Sequence, residues 1–147
     1  VKEFAKEHNI EVIEAAITNS SELQQGSQVL VDKVDAIFTP NDNTVALGMQ
    51  VLANVAREAK IPVYVGADSM VADGGFATVG IEYTDLGRET ALMAAMILDG
   101  VAKASDLPVK VFNEDLSTYI NIETAKAIGV TIPEEILKAE KTITFGE

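Results

Sequence analysis

VDAIFTPNDNTVALGMQVLANVAREAKIPVYVGADSMVADGGFATVGIEYTDLG, residues 34–87, decides the fold. VDAIFT (34–39) is a short apolar run that ends in a turn, as a buried parallel strand does. The turn TPNDNT (39–44) leads into VALGMQVLANVAREA (45–59), whose apolar residues recur at helical spacing. Arg57 and Lys60 lie in its last turn, where positive charge suits the helix dipole. Pro62 stops this helix and opens a second apolar run, PVYVG (62–66). A loop, ADSMVADGG (67–75), leads to a third, FATVGI (76–81).

Outward from this stretch the alternation continues. Upstream, residues 2–8 read as the end of a helix with Asn9 at its C-terminus. EVIEAAIT (11–18) alternates and then runs apolar, which predicts a strand. Asn19 followed three residues later by Glu22 resembles a capping box, and Leu23, Val29, Leu30 and Val31 give helix 21–32 an apolar side. Downstream, Thr84 is the expected N-cap of helix 85–99, with Gly100 just beyond its end. PVKVF (108–112) and STYINI (117–122) predict two late strands, and ETAKAIG (123–129) and PEEILKAE (133–140) two short closing helices. Strands alternating with helices of this length predict an α/β chain: a Rossmann-like, mainly parallel sheet with helices on both faces. The first element is a helix end without the strand that should precede it, so the chain reads as a piece of a longer protein.

Composition narrows the function. The chain has 147 residues, 48% of them apolar, so it can bury a substantial core. Aromatic residues are 5% and Trp is absent, which leaves the core to aliphatic side chains. A formal charge of −12 argues against nucleic acid and anionic membrane surfaces, both of which select clustered Lys and Arg. Cysteine is absent, and with it disulfides, thiolate metal sites and thiol nucleophiles. No apolar run approaches the roughly 20 residues that span a bilayer.

In an open parallel sheet, ligands bind outside the carboxyl ends of the strands. Two polar loops stand there. Asn41, Asp42, Asn43 and Thr44 open a helix whose free N–H groups attract a carboxylate, although the same side chains also serve as helix caps. Asp68 and Ser69 follow the second strand, where Asp68 could pair with an ammonium group or stand as a solvated loop carboxylate. Tyr83 follows the third strand and could stack on a ligand or line a helix entrance. His8 is the sole histidine and lies far from any nucleophile, so a catalytic triad is not expected. No nucleophile elbow, Walker loop, dinucleotide fingerprint or calcium loop is present. The expectation is a protein with no catalytic residues, no metal and no cofactor.

PNDNT (40–44), the later A-D-S (67–69), G-I-E-Y-x-x-L-G (80–87) and the closing A-x-x-I-G-V-T-I-P (125–133) together carry a resemblance. The chain resembles the ABC-transporter substrate-binding family that includes tryptophan and tyrosine binding proteins. That resemblance implies a type I periplasmic-binding-protein fold, in which two Rossmann-like lobes close over a solute. Residues 1–81 would then be an incomplete second lobe. Residues 82–104 would be a crossover helix packing on a first lobe outside this chain, and residues 105–147 would recross and finish the second lobe.

By the same resemblance Asp42, Asn43 and Thr44 would contact the solute's backbone-like polar groups, Asp68 and Ser69 its ammonium, and Tyr83 would sit near the hinge. Position 41, often a small hydroxyl residue in relatives, is Asn here. The implied partners are a small zwitterion such as an aromatic amino acid, an ABC permease in the membrane, and the N-terminal lobe, with no nucleic acid. The implied location is extracytoplasmic, periplasmic or lipid-anchored. The same fold also serves as the ligand-sensing domain of regulators and receptors. Without its partner lobe, the crossover helix would expose Leu92, Met93, Met96 and Ile97, and the isolated chain would self-associate.

Overall fold

A computed structural model of the chain describes residues 1–146. Helix α1 (Lys2–Glu7) ends at His8, and Asn9 takes the left-handed conformation at φ 55° that the sequence anticipates. After a one-turn 3-10 segment at Ser20–Glu22 come α2 (Leu23–Val31), β1 (Ile37–Phe38), α3 (Asn43–Leu47), α4 (Met49–Ala59) and β2 (Val63–Tyr64). Then follow α5 (Asp68–Ala72), β3 (Ala77–Gly80), α6 (Tyr83–Leu98), β4 (Ser117–Asn121), α7 (Ile122–Ile128), α8 (Glu134–Leu137) and β5 (Thr142–Phe145). The five strands form one sheet in chain order. β1, β2 and β3 run parallel, β4 pairs antiparallel with β3, and β5 pairs parallel with β4.

The period-2 rule of a strand explains how the core forms. Ile37, Val63 and Val65 point to one face and are buried with Met49, Leu52, Ala53 and Ala56 of α4 and Met70 and Val71 of α5. Phe38 and Tyr64 point to the other face, where Ile132 and Ile136 around α8 cover the sheet only in part. Helices therefore lie on both faces, as expected, but unequally. The thinly covered face leaves an open apolar hollow of about 720 Å³, lined by Phe38, Tyr64, Phe76, Val79 and Ile136 among others.

Burial of a polar network ties the returning chain to the first half. Asn121 Nδ2 donates to the Val71 carbonyl at 2.9 Å, and its Oδ1 accepts the Thr124 N–H at 2.9 Å. Thr124 Oγ1 donates to the Gly74 carbonyl at 3.0 Å and accepts from Arg57 Nη2 at 2.8 Å. Asn121 thus caps α7 and closes the end of α5 with one amide, so β4 is joined to α5 by a buried bond while Thr124 joins α7 to α4 by a partly buried one.

The structure corrects several expectations. Residues 11–18 form no strand. Among the described residues they have no sheet neighbour, Val12 and Ile13 are exposed, and only Ile17 packs, against Gly26 of α2. Residues 108–112 likewise have no sheet neighbour among the described residues; Lys110 pairs with Glu89 of α6, and Val109 and Val111 stand in solvent. The helix expected over 45–59 is two helices broken at Gly48, where any Cβ would lie 2.3 Å from Leu23 Cδ1. The loop 67–75 contains α5. Thr84 is not an N-cap, because α6 already begins at Tyr83 with Glu82 in the capping position. The closing helix at 133–140 shrinks to Glu134–Leu137, and β5 is a strand the sequence did not announce.

The 16-residue helix α6 has no buried residue, and Leu92, Met96, Ile97 and Leu98 are exposed on it. A compact chain of 15.7 kDa should expose roughly 7,300 Å². This one exposes 10000 Å². The excess, roughly 2,700 Å², is well above the ~800 Å² that one partner contributes to a standard interface. In sedimentation velocity the isolated chain should run above its monomer mass, and Leu92→Glu with Met96→Glu should shift it toward monomer. A monodisperse monomer before substitution would contradict the reading of α6 as a partner-seeking face.

Candidate functional site

Because β1, β2 and β3 are parallel, their carboxyl ends share one edge of the sheet, and the antiparallel β4 starts at that edge with Ser117 opposite Gly80. Four chain segments therefore meet there: residues 39–44, 66–69, 80–83 and Ser117. The ladder between β1 and β2 continues past the strands, with the Thr39 N–H donating to the Tyr64 carbonyl at 3.0 Å. It carries the turn across Gly66. A Cβ at position 66 would stand 2.2 Å from the Asn41 nitrogen and 2.7 Å from its Cα, so only glycine admits this crossing.

Asp42 is exposed, and its Oδ1 accepts the N–H groups of Thr44 at 2.8 Å and Val45 at 3.0 Å. It is the N-cap of α3, which settles the capping half of the alternative left open by the spacing. Asn43 is exposed and Thr44 half-buried at the start of the same helix. Asp68 begins α5 and is half-buried; its Oδ1 accepts the Ser69 N–H at 2.8 Å, and Ser69 is exposed. Tyr83 opens α6 and is 45% exposed. Its hydroxyl accepts a hydrogen bond from Asn41 Nδ2 at 2.8 Å, across a sequence separation of 42 residues. The sequence places Asn41 in the polar turn after β1, but its bond to Tyr83 has no signal in a local reading.

Two further residues shape this edge and were not anticipated. Tyr119 of β4 is buried, with its hydroxyl 3.5 Å from the Ile81 carbonyl. Burial pushes the Tyr119 phenol above the usual tyrosine range, and the negative charges of Glu82 and Asp68 push in the same direction. Glu82 in turn accepts a long 3.4 Å bond from Ser117 Oγ. Asp68 after β2 and Glu82 after β3 thus form a negative rim, and the turn after β1 adds hydrogen-bonding side chains. The arrangement can hold a cation beside a polar acceptor. Among the described residues no cluster of His, Cys, Asp and Glu is arranged to bind a metal ion.

The chain is similar to known proteins over nearly its whole length. A family model described as ABC transporter substrate binding protein matches residues 1–143. A tyrosine-binding protein of Clostridioides difficile (strain R20291) is 36% identical over 126 residues, which are 86% of this chain and 36% of that protein. The crystal structure of an ABC domain in complex with L-Trp from Streptococcus pneumonia is similar at a TM-score of 0.85 and 38% identity, over 97% of this chain and 48% of that one. A conserved domain protein from Vibrio cholerae is similar at a TM-score of 0.85 and 33% identity, over 98% of this chain and 47% of that one. The chain therefore spans half or less of the length of these relatives.

Gly66→Ala should push the 39–42 turn off the end of β2. Overpacking of this kind costs about 1–3 kcal/mol. Equilibrium urea unfolding should show a lower midpoint with an unchanged slope, and an unchanged midpoint would show that the turn yields without cost.

Proposed function

The chain belongs to the ABC transporter substrate binding protein family, and from that premise we propose that its strand-end edge is one wall of a cleft that captures an aromatic amino acid for an ABC importer. The observation that carries this reading is the convergence of Asp68, the 41–44 turn and Tyr83 on one edge of the sheet. The tyrosine-binding and L-Trp-bound relatives support the choice of solute.

Each residue has a distinct task in this proposal. One oxygen of Asp68 is engaged with the Ser69 N–H, and its remaining lone pairs receive the solute's ammonium. The negative rim from Glu82 strengthens that preference for a cation. Asp42 holds α3 in place and thereby aims Asn43 and Thr44 at the solute's carboxylate; because Asp42 already occupies the Thr44 and Val45 N–H groups, side chains carry most of this contact. Ser69 borders the ammonium, and Tyr83 stands where the chain leaves the sheet for α6. The capture involves hydrogen bonds and charge pairing alone, with no covalent step.

In the same proposal residues 1–81 and 105–147 form the second lobe, and residues 82–104 cross to a first lobe that closes over the solute. The exposed apolar side of α6 supports that division. A membrane permease would receive the solute, and the protein would act outside the cytoplasm. Among the described residues no helix is long and apolar enough to cross a membrane.

Calorimetric titration of the complete two-lobed protein with tryptophan, tyrosine and phenylalanine tests the reading. Micromolar or tighter binding is expected for at least one of them. A charge-assisted hydrogen bond is worth about 1.5–3 kcal/mol, so Asp68→Ala should weaken binding roughly 10- to 150-fold. Absence of heat with all three would sink the aromatic assignment, and full affinity in Asp68→Ala would remove Asp68 from the site.

A further inference from the structure

We propose that Asn41 is a positioning residue for Tyr83, fixing the phenol so that its own hydrogen faces the solute. This inference rests on the amino-acid reading of the site and deepens it. A phenol hydroxyl has one hydrogen to donate and accepts through its oxygen lone pairs. Asn41 Nδ2 donates to that oxygen at 2.8 Å, so it fills a lone pair and leaves the hydrogen free. Donation into the oxygen also polarises the O–H bond and makes it a better donor.

Asn41 is well placed to act this way. Its backbone crosses Gly66 at a distance that excludes any Cβ, so the turn has little freedom to drift. The side chain reaches from the end of β1 to the first turn of α6, joining the capture edge to the point where the chain departs. The edge thereby has two unlike ends. Asp68 is an acceptor with negative charge, and Tyr83 is a donor. An α-amino acid has the complementary pair, an ammonium and a carboxylate, and the two ends dictate its direction in the cleft.

The chemistry of position 41 is therefore decisive. An amide nitrogen there leaves the phenol a donor toward the solute. A carboxylate there would accept the phenol hydrogen and turn Tyr83 away from the solute's carboxylate.

The test is a set of calorimetric titrations of the complete protein with L-tryptophan, comparing Asn41→Ala, Asn41→Ser and Asn41→Asp, each with Tyr83 present and in the Tyr83→Phe background. With Tyr83 present, Asn41→Ala should weaken binding about 3- to 10-fold, the span of a single neutral hydrogen bond. Asn41→Ser retains a donor and should recover part of the loss, whereas Asn41→Asp should lose more than Asn41→Ala. In the Tyr83→Phe background Asn41→Ala should change affinity less than 2-fold, because the group it positions is gone. Equal losses in both backgrounds would overturn the positioning role while leaving the amino-acid site intact. Failure of the unsubstituted protein to bind L-tryptophan, L-tyrosine or L-phenylalanine would overturn the reading of the site and this inference with it.

Discussion

The close passage of the chain over Gly66 is the constraint on which the strand-end edge depends. Parallel strands alone bring three loops to one edge, but they do not decide how near those loops come. Here the turn after β1 crosses the end of β2 at a distance that leaves no room for a side chain. That contact holds Asn41 within reach of Tyr83 and lets Asp42 cap α3 over the same edge. A larger residue at 66 would press on the backbone of Asn41 and push the turn away from the end of β2.

A second constraint holds the far half of the chain. Buried Asn121 and Thr124 form a network with half-buried Arg57 in which no buried side-chain nitrogen or oxygen among the described residues lacks a partner, and it ties β4 and α7 to α4 and to α5, which carries Asp68. Buried networks of this kind gain from the low local dielectric only when complete. Its position explains why β4 can reverse direction and still close the core: the return is anchored by side chains as well as by the ladder to β3. Beside this half, α6 and residues 99–116 reach the sheet chiefly through the Asn41–Tyr83 bond and the Asp115–Lys141 pair, with Val101, Val109 and Val111 in solvent.

Much of the fold was legible because short apolar runs ended by Pro or Gly announce buried parallel strands, and β1, β2 and β3 lie where those runs lie. Asn9 and Gly100 marked helix ends through the left-handed conformation those ends require. The failures share a cause. EVIEAAIT and PVKVF have the pattern of strands, but a pattern states that a segment suits a sheet, not that a neighbour is there to pair with it. The break at Gly48 falls where Leu23, remote in sequence, packs close against the backbone. Strand β5 is four half-exposed residues at the sheet's edge, too short for its alternation to stand out. At the strand-end edge, Asp42, Asp68 and Tyr83 stand after strands, where the sequence puts them. The bond from Asn41 to Tyr83, and the negative rim around Tyr119, arise from contacts across tens of residues that no local spacing encodes.

The central claim is that the 39–44, 66–69 and 80–83 segments act as one ligand surface. Hydrogen–deuterium exchange of the complete protein, with and without saturating L-tryptophan, tests it most directly. The account predicts that backbone amides in all three segments gain protection together on binding, while those of the buried β4–α7 junction stay as they were. Protection confined to other parts of the chain, with these three segments unchanged, would contradict it.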